Sequence, residues 1–181
     1  MVRGRVFMAG AVLLAVSGAA ACGGGSSSSK SATSTTRPAF IAADAGFSAE
    51  FPGAPKRQEQ PVEQAGVSLK VIFYQSTTND EVVAVGSSTT PIALTGDGLT
   101  TALDKAIDGS ATNVHGTVSS RSKTTFLGVP AEDGVITAQG NVVHERVFVV
   151  GQRLYIAEGI TSSASKPHPA YDRLLATFKA L

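Results

Sequence analysis

The sequence has one cysteine, no tryptophan and few charged residues for a chain of 181 positions. A single cysteine excludes a disulfide within the chain, so a folded domain must rely on its hydrophobic core. Charged side chains make up 16% of the residues, and the basic ones are scattered rather than clustered. Proteins that bind nucleic acids need a basic surface, so we expect no nucleic-acid partner.

The first 21 residues have the three-part layout of a secretory signal peptide. Two arginines come first, an apolar run follows over residues 6–16, and small residues occupy positions 17–21. The apolar run is shorter than the roughly 20 apolar residues that a membrane-spanning helix needs. The layout predicts export of the protein and removal of residues 1–21.

Cys22 follows Ala19, Ala20 and Ala21, and this stretch resembles a lipobox, the signal for lipidation of bacterial lipoproteins. Ala19 holds the position that leucine usually occupies. Ordinary cleavage after the alanines, followed by secretion, is the alternative. A free thiol is prone to oxidation in an oxidising compartment, whereas a lipid-modified cysteine has no free thiol. We therefore expect Cys22 to carry lipid (diacylglycerol and palmitate) and to anchor the protein on the extracytoplasmic face of the cell membrane.

Residues 22–43 are expected to form a disordered tether because glycine, serine and threonine dominate its first half. Such a segment cannot bury enough apolar surface to offset its conformational entropy. Residues 44–181 suffice for a single domain with its own core. Without the leader and its two arginines, the chain has a net charge of about −1, which again gives no electrostatic reason to expect an anionic polymer as partner.

The region 44–181 is rich in predicted strands. Apolar alternation and β-branched residues predict strands over residues 47–51, 68–76, 81–88 and 117–129. A polar loop or irregular strand is expected at 58–66 and a turn at 130–134. Two helices are expected: the first between Asp97 as N-cap and Gly109 after its end, the second after Pro169. Their apolar stripes are Leu99, Leu103, Ala106 and Ile107 in the first, and Tyr171, Leu174, Leu175 and Phe178 in the second.

Residues 135–160 form the clearest β pattern, a meander with glycine-containing turns at Gly140 with Asn141 and at Gly151 with Gln152. The second turn predicts a register of directly opposed pairs, namely Val149 with Leu154, Val147 with Ile156, Phe148 with Tyr155, and Arg146 with Ala157. Both faces of this hairpin are apolar near the turn, so both need cover. An antiparallel sheet with a helix for each face meets that need, and the predicted fold class is α+β.

Three motifs and the last helix carry a family resemblance. The motifs are Phe47-x-x-x-Phe51-Pro52-Gly53-x-Pro55, Phe126-Leu127-Gly128-Val129-Pro130-Ala131, and Arg146-Val147-Phe148-x-Val150-Gly151-x-Arg153-Leu154-Tyr155. Together with Phe178 they resemble small exported bacterial proteins of the PsbP-like superfamily, to which LpqN-type lipoproteins are similar. Over residues 44–181 the resemblance implies an α/β/α sandwich around an antiparallel sheet. It also implies an accessory, binding or assembly role, and it supplies no catalytic residues.

Two short patterns could suggest serine catalysis. Ser120 with Lys123, and Ser163 with Lys166, fit the S-x-x-K pattern. The chemistry needs these side chains at the start of a helix, where they converge, but the first pair lies in a predicted strand and the second in a predicted loop. We predict no catalytic residue.

Metal and cofactor sites are not expected either. His115, His144 and His168 are isolated in the sequence and are predicted to lie on the surface or in loops. Glu132 and Asp133 are predicted at a hairpin tip, where acidic residues are common. We predict no metal site and no cofactor.

A candidate ligand patch consists of Arg146, Phe148, Arg153 and Tyr155, which the predicted register places on one sheet face. Arginine beside aromatic rings could grip an anionic or sugar-bearing ligand. In the alternative interpretation, the arginine stems merely pack over the rings.

The functional expectation is a lipid-anchored extracytoplasmic protein with a non-catalytic binding or envelope-assembly role. Its expected partners are the membrane, through the N-terminal lipid, and an envelope protein or a lipid or glycan ligand. The alternative is a carrier of a lipid or small apolar ligand in a cavity between a helix and the sheet.

Replacement of Cys22 by alanine tests the predicted anchor. We expect Cys22→Ala to move the protein from the membrane fraction to the soluble fraction, because no acyl chain can then be attached. Cell fractionation and intact mass measurement check this, with Ser26→Ala as the control. Membrane retention of Cys22→Ala, together with a parent protein that has no acyl mass, would contradict the prediction.

Overall fold

The computed structural model describes residues 38–64, 67–163 and 168–181. The predicted leader, Cys22 and most of the predicted tether lie outside these ranges. The first strand, β1 (Phe40–Ala42), falls within the segment that composition assigns to the tether. It pairs antiparallel with β2 (Phe47–Ala49), so the structured unit extends a few residues upstream of the predicted boundary at 44.

A seven-stranded antiparallel sheet forms the centre of the domain. In spatial order its strands are β3 (Lys56–Gln64), β4 (Val67–Thr77), β5 (Val82–Thr89), β9 (Arg153–Thr161), β8 (Asn141–Val150), β7 (Val129–Ala138) and β6 (Thr117–Phe126). Two helices, α1 (Gly96–Asn113) and α2 (Pro169–Thr177), accompany it. The predicted α+β class is confirmed. Neither of these helices is long and apolar enough to span a membrane.

The two faces of the sheet have different covers. A small sheet of β1, β2 and β10 (Lys179–Ala180) packs with α2 against one face, around an aromatic core that includes Phe47, Phe148 and Tyr155. The other face meets α1, mainly over β6, β7 and β8. This second core is aliphatic and joins Leu103 and Ile107 of the helix to residues of β8 and β9.

The predicted register of β8 and β9 is confirmed. The strands pair antiparallel across the turn at Gly151 and Gln152, with Phe148 opposite Tyr155 and Val147 opposite Ile156. Gly151 has a φ of +63°, a backbone conformation that residues with a Cβ atom rarely adopt. Because side chains alternate along a strand, this register sends the rings to the aromatic core and the aliphatic side chains towards α1.

Two predicted turns lie elsewhere in the structure. The chain reverses at Leu127 and Gly128, both at positive φ, so residues 130–134 belong to β7 and do not form a turn. The next reversal uses Gln139 and Gly140, again both at positive φ, rather than Gly140 with Asn141. Positive φ at both central residues is the geometry of the type I′ hairpin turn.

The predicted ends of α1 are also wrong. Thr95 is the N-cap and the helix runs past Gly109 to end at Asn113. The extra turn buries Ala111 against Ile136 and Val143, which outweighs the weak helix propensity of one glycine.

Helix α2 is short, and a buried carboxylate of another strand supports its start. Glu81, which is 4% exposed, accepts hydrogen bonds from the backbone N–H groups of Ala170 and Tyr171 at 2.9 and 3.0 Å. A helix of nine residues is marginal without tertiary support. The carboxylate satisfies two otherwise unpaired donors and opposes the positive end of the helix dipole.

Removal of this carboxylate should therefore destabilise the domain. We expect Glu81→Ala to lower the free energy of unfolding by about 1–3 kcal/mol, measured by urea unfolding. Glu50→Gln is the matched control, because Glu50 also bonds to α2 but does so through the exposed side chain of Arg173. It should cost less than about 1 kcal/mol. Equal costs for the two variants would contradict the capping role.

Candidate functional site

The rings of the predicted ligand patch belong to the aromatic core. Phe148 is 0% exposed and Tyr155 is 1% exposed. The two rings stack with centroids 5.3 Å apart, and both contact Phe178 edge-on. Their faces are therefore not open to a ligand, and a binding role for this patch would fall to its two arginines.

Arg146 is engaged within the protein. Its guanidinium group donates two hydrogen bonds to the carboxylate of Asp133, at 2.6 and 2.8 Å, and lies 5.1 Å from the ring centroid of Phe126. The bonds to Asp133 raise the pKa of Arg146 above its ordinary value. This bidentate pair leaves Arg146 poorly placed for a ligand, and the packing over a ring matches the alternative interpretation of the patch.

Arg153 is held differently, because it has no carboxylate partner among the described residues. Its Nη1 atom donates to the carbonyl oxygen of Asp44 at 3.3 Å and to the hydroxyl of Ser87 at 3.2 Å. The remaining N–H groups of the guanidinium have no acceptor among the described residues. Beside it, Tyr155 donates a 2.6 Å hydrogen bond to the carbonyl oxygen of Gly46.

The contact at Gly46 explains how a distant loop positions this arginine. Gly46 has a φ of +68°, and a Cβ atom there would lie 2.8 Å from Nε of Arg153. The same carbonyl oxygen also accepts the backbone N–H of Leu181 at 2.9 Å. The backbone conformation thus favours glycine, and the absence of a side chain leaves room for the close approach of the guanidinium.

A cavity of about 220 Å³ opens next to Arg153, at the end of the sheet. Its lining residues are Thr89, Val150, Gln152, Arg153, Tyr155, Ala180 and Leu181. Two members of the predicted patch, Arg153 and Tyr155, therefore line one cavity, whereas Arg146 and Phe148 do not. We call this feature the Arg153 cavity.

The Arg153 cavity suits one chemical group rather than a whole ligand. Typical pockets for small molecules hold about 300–1,000 Å³, which is larger than the space here. A guanidinium with free donors favours carboxylate or phosphate oxygens, which accept two parallel hydrogen bonds from it. Gln152 and Thr89, which have polar side chains, also line the cavity.

The histidines do not all lie where the sequence predicts. His144 is on β8, and His168, 9% exposed, precedes α2. Their ring centroids are 4.2 Å apart, and Nδ1 of His168 lies 3.7 Å from Oε1 of Glu81. Burial, together with the neighbouring His168, lowers the pKa of His144. The exposed His115 and the loop residue His168 fit the predicted surface or loop positions, whereas His144 lies within a strand.

The other candidate groups are dispersed. Glu132 and Asp133 lie within β7 on opposite faces, rather than at a hairpin tip, and Glu132 is 3% exposed. Ser120 and Lys123 are exposed on the edge strand β6, and Lys166 lies outside the described residues. Within the described ranges, no three His, Cys, Asp or Glu side chains are grouped so that they could hold a metal ion.

Two carboxyl groups that no sequence motif predicts lie opposite each other beside α1. Glu145 and Glu158 are directly opposed on β8 and β9, and Glu145 is 1% exposed. Burial raises the pKa of Glu145 to about 8, and the nearby Glu158 adds to the shift. Burial also raises the pKa of Glu158 to about 7. The confirmed register of the hairpin already implies this pairing, because Arg146 opposes Ala157 one step closer to the turn.

Comparisons with known proteins add no relative. No protein-family model matches the chain, and no curated protein matches its sequence.

The carboxyl pair should make stability depend on pH. A carboxyl group with a raised pKa in the folded state keeps a proton that the unfolded chain has lost, so stability falls as pH rises from about 4.5 to about 8. We expect Glu145→Gln to reduce this fall between pH 5 and pH 8 by about 1 kcal/mol or more, measured by urea unfolding at each pH. The exposed Asp97→Asn is the control. An unchanged pH profile in Glu145→Gln would contradict the buried, protonated state.

Proposed function

We propose that the protein is a lipid-anchored, non-catalytic binding protein of the cell envelope that docks an acidic group of a partner in the Arg153 cavity. The observation that carries the proposal is a guanidinium that has free donors and no carboxylate partner among the described residues, at the wall of a cavity of about 220 Å³. A carboxylate from a partner would supply the missing counter-charge.

The size of the cavity favours a docking role over a carrier role. A carrier must enclose most of its ligand, and the predicted carrier would hold it between a helix and the sheet. The Arg153 cavity lies instead at the end of β8 and β9, where it takes one functional group of a larger partner. Proximity to the membrane would follow from lipid on Cys22, which remains part of the proposal.

We also propose a PsbP-like sandwich as the finer description of the fold. In its favour, helices and a small sheet flank a central antiparallel sheet, which is the layer order that the family resemblance implies. The resemblance likewise favours an accessory or assembly role without catalysis.

Site-directed photocrosslinking in intact cells tests the docking role. A photoreactive residue at Gln152, on the cavity rim, should give a discrete partner adduct. Arg153→Gln should reduce that adduct about tenfold, because the partner's acidic group loses its counter-charge. Arg153→Lys should retain part of it.

A photoreactive residue at the exposed Thr101 on α1 is the matched control, since it lies on the other face of the sheet. It should give no such adduct. The same adduct from Thr101, or an undiminished adduct in a folded Arg153→Gln protein, would contradict the proposal.

A further inference from the structure

The Arg153 cavity has apolar walls as well as a positive charge. Val150 lies directly opposite Arg153 in the register of β8 and β9, so the two side chains share one face of the sheet. Ala180 of β10 and the following Leu181 line the same cavity. Val150 and Ala180 are half-buried and Leu181 is exposed, so this apolar surface is open to solvent. A ligand that fills the cavity therefore needs an acidic group and an apolar group close together.

Exposed aliphatic side chains continue this surface beyond the cavity. Leu181 is 68% exposed, and Ile92, on a neighbouring loop, is 65% exposed. The backbone N–H of Thr90 donates to the carbonyl oxygen of Gln152 at 2.8 Å, which joins the start of this loop to the cavity lining. Ile92 comes two residues later and so lies within about 7 Å of Thr90. Apolar side chains at the rim favour a partner that extends out of the cavity.

One nitrogen of Arg153 holds the donors that such a ligand needs. Nη1 already donates to acceptors within the protein. Nε lies close to Gly46, since a Cβ atom at that glycine would be 2.8 Å from it. The N–H groups of Nη2 therefore remain for a ligand. The carboxylate of Asp44 does not neutralise Arg153, because it accepts hydrogen bonds from Arg57 at 2.7 Å and from Tyr74 at 2.8 Å.

We propose that the acidic group docked in the Arg153 cavity is the terminal α-carboxylate of a partner protein whose last residue has an aliphatic side chain. This inference rests on the docking role proposed above and names the group that is docked. The carboxylate accepts hydrogen bonds from Nη2 of Arg153. The aliphatic side chain of the same terminal residue packs against Val150, Ala180 and Leu181, which removes apolar surface from water.

The size and the lining of the cavity favour a chain terminus over other acidic groups. In a terminal residue the carboxylate and the side chain share one Cα atom, so both fit within about 220 Å³. An aspartate or glutamate inside a chain offers a carboxylate without an aliphatic group, and its main chain must leave in two directions. A phosphate group has no apolar part. A small aliphatic acid carries both groups but leaves the apolar rim at Ile92 exposed.

Calorimetric titration of the purified protein with short peptides tests the inference. The probe is acetyl-Gly-Ser-Gly-Ser-Ala-Leu with a free terminal carboxyl group. We expect a Kd below about 1 mM for this peptide. Its terminal amide should bind at least about tenfold more weakly, because the charge that pairs with Arg153 is lost. The same peptide with glycine as its last residue should bind about three- to tenfold more weakly, because it lacks the aliphatic side chain.

Variants locate the binding site. Arg153→Gln should weaken binding of the leucine peptide about tenfold. Arg121→Gln is the matched control, because it makes the same substitution on β6, where Arg121 bonds to Asp108 of α1. Leu181→Ala should weaken the leucine peptide about threefold and leave the glycine peptide unchanged. Methyl NMR signals of Val150 and Leu181 should shift on binding, whereas those of Leu103, beneath α1, should not.

Two further probes separate this inference from the docking role itself. One is the same peptide with aspartic acid amide as its last residue, whose carboxylate belongs to a side chain. The other is 4-methylpentanoate, a free aliphatic acid. If either probe binds as tightly as the leucine peptide, the inference about a protein terminus is overturned. The docking role then still stands if the partner adduct at Gln152 depends on Arg153.

Three other results would overturn the inference. They are equal affinities for the free acid and the amide, a Kd above about 1 mM for the leucine peptide, and undiminished binding in a folded Arg153→Gln protein. Absence of the Arg153-dependent adduct in cells would instead contradict the docking role.

Discussion

The register between β8 and β9 is the constraint on which the other features depend. Their two-residue turn at Gly151 places Phe148 opposite Tyr155 on one face and Val147 opposite Ile156 on the other. A slip by one residue would exchange the faces and send rings towards α1. The aromatic core, the aliphatic core and the carboxyl pair all require the same alignment, since all three include residues from both strands.

Each face of the sheet then supports a different kind of surface. On the aromatic face, the Tyr155 hydroxyl donates a hydrogen bond to the loop at Gly46, and the absence of a side chain at Gly46 lets Arg153 approach that loop. Arg153 lies at the wall of a cavity, and some of its N–H groups have no acceptor among the described residues. On the α1 face, the helix covers Glu145, which lies directly opposite Glu158.

Features that depend on local chain chemistry could be predicted from the sequence. The hairpin at Gly151 follows from alternation and one glycine, and its register is confirmed. The turn at Leu127 does not follow from the sequence pattern, because the apolar alternation continues through it and a leucine at positive φ is uncommon. Local propensity predicts the end of α1 too early, because Gly109 lies inside the helix, where tertiary packing outweighs propensity.

Features that depend on distant residues could not be predicted in the same way. The cavity beside Arg153 needs Thr89 and Leu181, and the cap of α2 needs Glu81, all far along the chain from the groups they meet. The ring contact of His144 with His168 likewise joins a strand to the start of α2. The carboxyl pair is an intermediate case: the predicted register implies that Glu145 opposes Glu158, but only the position of α1 shows that Glu145 is buried.

The side-chain carboxyl ¹³C signals of Glu145 and Glu158 test this central constraint most directly. Followed by NMR from pH 3 to pH 10, they should titrate as a coupled pair with apparent pKa values near 8 and 7, because burial raises the pKa of both groups and they lie directly opposite each other. Titration of both signals near 4.5, the ordinary value for glutamate, would show that the two carboxyl groups are solvated and would contradict the buried, opposed pair.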